Sequence, residues 1–187
     1  MSFFQNELDE AILHREAVLK SEVTHLISQH QLTYSIFEYG TGGFISGHYL
    51  SLKGLENQFD CGISCTKNEQ ISRLLDLPLE QVNNIHPNSF CRLLLESLYV
   101  KTKSLLCIAI HGKLEKNKTT KQCEAVIQFG FKLKRSVQIR SLNFSTNEAL
   151  IYNKIYETSL GFLKFFLMNE FKAIVPKTNF MEETING

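Results

Sequence analysis

The 187-residue sequence has no tryptophan, only three prolines and no pair of cysteines in the Cys-x-x-Cys spacing. Its five cysteines are an odd number in a chain that is not small, which argues against a disulfide framework and a zinc knuckle and favours reduced thiols. No stretch approaches the ~20 apolar residues of a membrane span. Residues 1–7 lack the basic start and apolar core of a signal peptide. We therefore expect a cytoplasmic protein with no membrane partner.

Net charge is also nearly absent. Twenty basic and 19 acidic side chains leave a formal charge of +1, so no overall field favours nucleic acid. Hydrophobic residues make up 43% of the chain and charged residues 21%, as in an ordinary soluble protein, and the length suits one well-buried domain. We expect no nucleic-acid partner and no cofactor.

The apolar pattern predicts helices that alternate with strands, then a hairpin and a closing helix. The predicted helices are 5–30, 42–52, 68–75, 87–100 and 147–171, and the predicted strands are 32–37, 59–65, 105–110, 125–133 and 137–142. Residues 79–82 are predicted as a turn and 113–121 as a lysine-rich loop. This order predicts an α/β fold, a three-layer α/β/α sandwich with a mixed central sheet. We expect one domain over residues 1–172, with an extra amino-terminal helix, and a loose tail over residues 173–187.

A glycine turn joins the first predicted strand to the second predicted helix. Residues 38–43 read Glu-Tyr-Gly-Thr-Gly-Gly. In a strand–turn–helix unit of this kind, backbone N–H groups converge on an anion or an oxyanion. The alternative is that the glycines only permit a tight connection between the two elements.

This segment resembles the Glu-Ser-Cys-Thr-Gly-Gly signature of the CinA carboxy-terminal domain, also called the PncC or nicotinamide-nucleotide amidase family. The resemblance covers residues 18–168. Residues 66–69, Thr-Lys-Asn-Glu, are similar to the family's Tyr-Ser-Asn-Glu, and residues 74–78 are similar to its Leu-Gly-Val-Pro. Gly112 matches a glycine in the family's Thr-Gly-Ile-Ala-Gly-Pro motif.

The resemblance implies a bacterial protein of known scaffold whose reactive positions are replaced. In the family a serine attacks a carboxamide while a lysine and a tyrosine assist proton transfer. The serine corresponds to Tyr39, the neighbouring cysteine to Gly40, the tyrosine to Thr66 and the lysine to Ile71. A tyrosine phenol has a pKa near ~10 and a rigid ring that would fill the space of the substrate.

No catalytic residue of the family is therefore intact. Cys65 and His111 are the remaining candidates, because a thiol and an imidazole form a recognised nucleophilic pair. Against this, Cys61 and Cys65 share a strand face with Ile63, which is typical of small buried core residues. The expected ligand-binding residues are Tyr39, Gly40, Thr41, Gly42, Gly43, Thr66, Asn68, Glu69, His111 and Gly112.

Three functions remain open at this point. The first is a catalytically degenerate domain that retains at most binding of a nucleotide or another phosphate-bearing small molecule. The second is an active amidohydrolase that releases ammonia from nicotinamide mononucleotide with a substituted nucleophile. The third is a protein-interaction module without a small-molecule ligand, which would use helix 5–30 and residues 173–187.

A homo-oligomer is expected as well. The apolar final helix makes a contact between copies plausible. The first helix offers a second possible contact between copies. The alternative is that this helix packs on the sheet of its own chain. Its apolar residues are Leu8, Ile12, Leu19 and Leu26.

Overall fold

A computed structural model describes residues 2–117 and 119–172. The tail predicted over residues 173–187 lies outside the described residues. Within this part of the chain the helices are α1 (Ser2–Gln29), α2 (Phe44–Leu50), α3 (Asn68–Leu75), α4 (Leu79–Asn84), α5 (Pro87–Thr102) and α6 (Ile151–Lys172). The strands are β1 (Tyr34–Tyr39), β2 (Phe59–Cys65), β3 (Leu106–Lys116), β4 (Gln122–Leu133) and β5 (Ser136–Asn147).

The five strands form one mixed sheet in the order β2-β1-β3-β4-β5. Strand β1 runs parallel to both of its neighbours, β2 and β3, whereas β3, β4 and β5 are antiparallel. The first five residues of β1 are buried, as expected for a parallel strand that is covered on both faces. The predicted fold class is confirmed.

Helices cover both faces of the sheet. On one face, α1, α2 and α6 pack over a core rich in aromatic side chains, which includes Tyr34, Tyr49 and Phe129. On the other face, α3, α4 and α5 pack over a smaller core around Phe37 and Phe90. The fold is therefore a three-layer sandwich, and none of the described helices is long and apolar enough to cross a membrane.

Helix α1 packs within its own chain. Leu19 and Leu26 are partly buried against the core that α6 also covers. This is the predicted alternative, in which the first helix packs on its own sheet. The side chains of Leu8 and Ile12 lie outside the described residues.

Two segments that were predicted as connections contain regular secondary structure. The predicted turn over 79–82 is the start of helix α4, and its apolar Val82 is buried in the smaller core. The predicted lysine-rich loop over 113–121 was wrong for residues 113–116. Strand β3 continues to Lys116 in an unbroken antiparallel ladder with β4, and the connection itself is only residues 117–121. The prediction failed because it took polar composition as a sign of a loop. This end of β3 is exposed, so charged side chains are compatible with a strand there.

Candidate ligand-binding site

The carboxyl ends of the three parallel strands meet at Tyr39. In the sheet register this residue is paired with Cys65 of β2 on one side and with His111 of β3 on the other. Open α/β sheets bind ligands at this edge. A cavity of about 650 Å³ opens there, between the sheet and helices α3, α4 and α5.

Six of the ten predicted ligand-binding residues line this cavity. They are Tyr39, Gly40, Thr66, Asn68, His111 and Gly112. Outside its lining are Thr41, Gly42, Gly43 and Glu69.

The Tyr39 side chain is held in the cavity wall by a hydrogen-bond chain. Its hydroxyl donates to Asn68 Oδ1 at 2.5 Å, and Asn68 Nδ2 donates to Asn83 Oδ1 at 2.7 Å. Phe90 packs edge-to-face against the phenol ring, with ring centroids 5.7 Å apart. Burial raises the pKa of the Tyr39 hydroxyl, and the nearby Glu69 carboxylate raises it further. The phenol is therefore neutral at pH 7 and fixed in orientation.

His111 forms the adjoining aromatic wall. Its ring centroid lies 5.3 Å from that of Tyr39 and 4.7 Å from that of Phe90. Burial lowers the pKa of His111 to about 4, and the neighbouring Gln128 side chain opposes that shift only in part. Within the described residues the buried Nδ1 atom has no hydrogen-bond partner. The imidazole is thus uncharged at pH 7 and a weak base.

The structure does not bring Cys65 and His111 together as a nucleophile–base pair. They lie on strands that flank β1, so Tyr39 stands between them. Two strand spacings separate their backbones by roughly 10 Å. Burial also raises the pKa of the Cys65 thiol, which disfavours the reactive thiolate. Cys65 is buried as predicted, whereas Cys61 is only half-buried because β2 is an edge strand.

A close contact with the backbone of Gly112 requires a glycine at position 40. Gly40 has a φ of 92°, and a Cβ atom there would lie 2.0 Å from the carbonyl oxygen of Gly112. A Cβ on Gly112 would in turn lie 2.3 Å from Ile127 Cδ1. The position that corresponds to the family's cysteine therefore has no room for a side chain in this chain.

The glycine turn already holds an anion, and that anion is the side chain of Glu38. Its Oε1 atom accepts from the amides of Gly43 at 3.0 Å and Ile45 at 3.3 Å. Its Oε2 atom accepts from the Ser46 amide at 2.8 Å and the Ser46 hydroxyl at 2.7 Å. Glu38 is fully buried, and four donors compensate for the loss of water around its carboxylate. These three amides therefore do not face a ligand in the cavity.

Sequence reasoning missed the role of Glu38, although one signal was present. A glutamate at the end of an otherwise apolar, buried strand must find donors, and the start of the next helix supplies them. Other cavity residues were missed because the topology, not the local pattern, brings them to the site. They are Val82, Asn83, Ile85, Pro87, Phe90, Leu114, Val126, Gln128 and Tyr152.

Two lysines lie at the β3 side of the cavity. Lys113 Nζ lies 2.7 Å from Glu115 Oε1, and Lys116 Nζ lies 2.7 Å from Glu148 Oε1. The ammonium group of Lys116 also lies 5.8 Å from the ring centroid of Tyr152. Exposed ion pairs of this kind contribute little, so an incoming anion can replace the carboxylates at small cost.

Comparisons with known proteins identify the fold. No protein-family profile matches the chain, and no curated protein is detectably similar to it in sequence. Solved structures do match. A competence or damage-inducible protein from Enterobacter asburiae is 18% identical, with a TM-score of 0.67 over 80% of this chain and 96% of that chain. A CinA superfamily protein from Enterobacter cloacae is 17% identical, with a TM-score of 0.68 over 81% and 92%.

A third structure agrees with these two. The CinA superfamily protein KP700603 from Klebsiella pneumoniae 700603 is 13% identical, with a TM-score of 0.70 over 82% of this chain and 98% of that chain. The chain therefore has the fold of CinA superfamily proteins, as the resemblance in residues 38–43 implied. A fold does not specify a reaction; the residues of the site do.

Proposed function

We propose that this CinA-like domain binds a nucleotide or another phosphate-bearing small molecule in the Tyr39–His111 cavity and does not hydrolyse an amide there. The main support is the Tyr39 phenol. It occupies the position that corresponds to the family's serine, and its hydroxyl is engaged by Asn68.

The residues around Tyr39 offer no route to an activated nucleophile. A neutral phenol with a raised pKa is a poor nucleophile at pH 7. The position of the family's lysine is Ile71, which is fully buried in the core under α3. The position of the family's tyrosine is Thr66, and His111 is too weak a base to replace either group.

The cavity nevertheless retains the features of a ligand site. Tyr39, Phe90 and His111 provide an aromatic wall against which a planar ring can pack. The carboxamides of Asn83 and Gln128 in its lining supply uncharged donors and acceptors. Apolar walls with a few convergent polar groups are typical of small-molecule sites.

The lysines give the ligand its expected charge. Lys113 and Lys116 line the same cavity, and their ammonium groups are suited to a phosphate group. We therefore expect the base-like ring of the ligand near Tyr39 and its phosphate near β3.

Isothermal titration calorimetry tests this proposal with nicotinamide mononucleotide, the phosphate-free nicotinamide riboside and inorganic phosphate as probes. We expect the nucleotide to bind more tightly than the riboside or phosphate. Replacing both cavity lysines (Lys113→Ala with Lys116→Ala) should weaken nucleotide binding about tenfold or more. The matched control is Lys101→Ala on α5, outside the cavity lining, which should leave affinity unchanged.

Two results would overturn the proposal. One is the absence of binding by all three probes together with no nucleotide-dependent rise in the melting temperature, since a ligand of the folded state must stabilise it. That result would favour the protein-interaction alternative. The other is nucleotide binding that the double lysine variant and the Lys101→Ala control weaken equally, which would place the ligand elsewhere.

A further inference from the structure

A second cavity adjoins the Tyr39–His111 cavity on the sheet. Its volume is about 380 Å³, and strands β3, β4 and β5 supply its lining. Lys113 and Val126 line both cavities, and these two residues are directly paired in the register of β3 and β4. The two cavities therefore meet at this pair, so a ligand that extends past Lys113 enters the second cavity.

Three successive rows of paired side chains run from one cavity to the other. Residues two apart on a strand share a face and lie roughly 7 Å apart, so each row is one step further from the aromatic wall. The side chains of the first row are uncharged at pH 7, the second row carries a lysine, and the third row carries two carboxylates. In order, the rows are His111–Gln128–Ser141, Lys113–Val126–Asn143 and Glu115–Glu124–Ser145.

The second and third rows are open to a ligand. All six of their side chains are exposed, and the apolar Val126 is 48% exposed. Helix α5 begins at Pro87, which lines the first cavity. An exposed valine between two cavities offers apolar contact to a molecule that crosses from one to the other.

We infer that the ligand is a dinucleotide, whose second ribose lies in the second cavity and donates its hydroxyls to Glu124. This inference rests on the proposed function, which places the ring of the ligand near Tyr39 and its phosphate near the lysines. A mononucleotide ends at its phosphate and would leave the third row empty. A dinucleotide continues beyond the phosphate with a second ribose, and an acidic side chain that accepts from ribose hydroxyls is a recurrent feature of dinucleotide sites.

The charges of the third row favour hydroxyl donors over a further phosphate. Glu115 and Glu124 lie directly opposite each other, and like charges in that position are destabilising in a sheet. Lys113 lies 2.7 Å from Glu115 and compensates that carboxylate. Hydroxyl groups that donate to Glu124 would stabilise the second carboxylate, whereas a phosphate there would be repelled.

Isothermal titration calorimetry tests the inference with nicotinamide mononucleotide and nicotinamide adenine dinucleotide, which contains the same mononucleotide. We expect the native chain to bind the dinucleotide at least about fivefold more tightly. Glu124→Ala should remove most of this advantage without weakening the mononucleotide. A purely electrostatic effect of Glu124→Ala would instead strengthen both ligands, because a negative charge near the phosphate is lost. The matched control is Glu80→Ala, at an exposed position outside the lining of both cavities, which should change neither affinity.

A third probe tests the contact with the second ribose. Nicotinamide adenine dinucleotide phosphate carries a phosphate in place of the 2′-hydroxyl of that ribose, so a donor to Glu124 is replaced by a dianion. We expect the native chain to bind it at least about tenfold more weakly than the unphosphorylated dinucleotide. In Glu124→Ala this difference should become smaller, because the repelling carboxylate is gone.

The outcomes separate this inference from the proposed function. Mononucleotide binding with no gain for the dinucleotide, or a gain that Glu124→Ala leaves intact, would overturn the inference and leave the proposed function standing. Equal affinities of the native chain for the two dinucleotides would also overturn it. Failure of all three nucleotides to bind would overturn both.

Discussion

The Glu38 carboxylate accepts two hydrogen bonds from Ser46, one from its backbone amide at 2.8 Å and one from its hydroxyl at 2.7 Å. Together with the amides of Gly43 and Ile45, these donors satisfy a carboxylate that is fully buried. The turn that resembles an anion-binding loop thus binds a carboxylate of its own chain. The cavity beside it is left with aromatic rings, carboxamides and lysines as its binding groups.

This relationship predicts a large cost for Glu38→Gln. The amide NH2 of glutamine would face one or more backbone N–H groups, so buried donors would lose their acceptor. We expect a loss of roughly 2–4 kcal/mol in the free energy of unfolding, measured with urea. Ser46→Ala removes one of the four donors and should cost about 1 kcal/mol. The control Glu80→Gln, at an exposed position of α4, should change stability by less than about 0.5 kcal/mol, and an equally small effect of Glu38→Gln would contradict this account.

Gly40→Ala tests the close contact with Gly112. The new Cβ would lie 2.0 Å from the Gly112 carbonyl oxygen, in a backbone conformation with a φ of 92°. Gly42 has a φ of 73°, but a Cβ at that position would meet no atom within 4 Å, so Gly42→Ala isolates the conformational cost, about 1–2 kcal/mol. We expect Gly40→Ala to lose at least about 2 kcal/mol more than Gly42→Ala in urea unfolding. Equal losses would mean that β1 and β3 separate easily at the site.

A double-mutant cycle measures the Tyr39–Asn68 hydrogen bond. Tyr39→Phe and Asn68→Ala each remove one partner, and we expect a coupling free energy of about 0.5–1.5 kcal/mol because the bond is partly buried. Pairing Tyr39→Phe with Lys101→Ala provides the control, which should be additive. Additive behaviour in the first cycle as well would show that Asn68 does not hold the phenol in place.

His111 should make stability depend on pH. Its pKa is about 4 in the folded chain, below the ordinary value of 6.5, so protonation favours the unfolded chain. The stability associated with neutral His111 is therefore fully present above pH ~6.5 and is lost as the pH falls from there towards 4. The loss should reach about 3 kcal/mol at most.

Comparison with His111→Phe isolates this effect, since phenylalanine keeps the contacts with Tyr39 and Phe90 but does not titrate. Urea unfolding between pH 7.5 and 4 should show a smaller acid destabilisation in the variant, because all other titrating groups are shared. Parallel pH profiles for the two proteins would mean that the His111 pKa is close to its ordinary value.

Much of the fold was predictable because its elements have strong local patterns. Strand β2 and helix α3 have the predicted limits, Phe59–Cys65 and Asn68–Leu75. The prediction failed where a strand is exposed, because a run of charged residues is then compatible with a strand although it is more typical of a loop. The charged end of β3 looks like a loop, yet its backbone pairs with β4 up to Lys116. Local composition cannot reveal that pairing, because it depends on a partner strand later in the chain.

The site was predictable only in part, for a similar reason. The predicted ligand-binding residues included Tyr39 and His111, and the structure places both in the lining of one cavity. The resemblance in residues 38–43 did not indicate that Tyr39 separates Cys65 from His111, since that follows from the strand order. Nor did it indicate that Glu38 turns back to the helix, which follows from the need of a buried carboxylate for donors.

The most direct test of the account is ammonia release from nicotinamide mononucleotide at concentrations that calorimetry shows to saturate the cavity. We predict no release above the protein-free rate from the native chain, because neither a nucleophile nor a strong base adjoins the bound ring. Release that rises in proportion to protein concentration and is lost in Cys65→Ala or His111→Phe would contradict this account, and would show that the chain is an amidohydrolase with a substituted nucleophile.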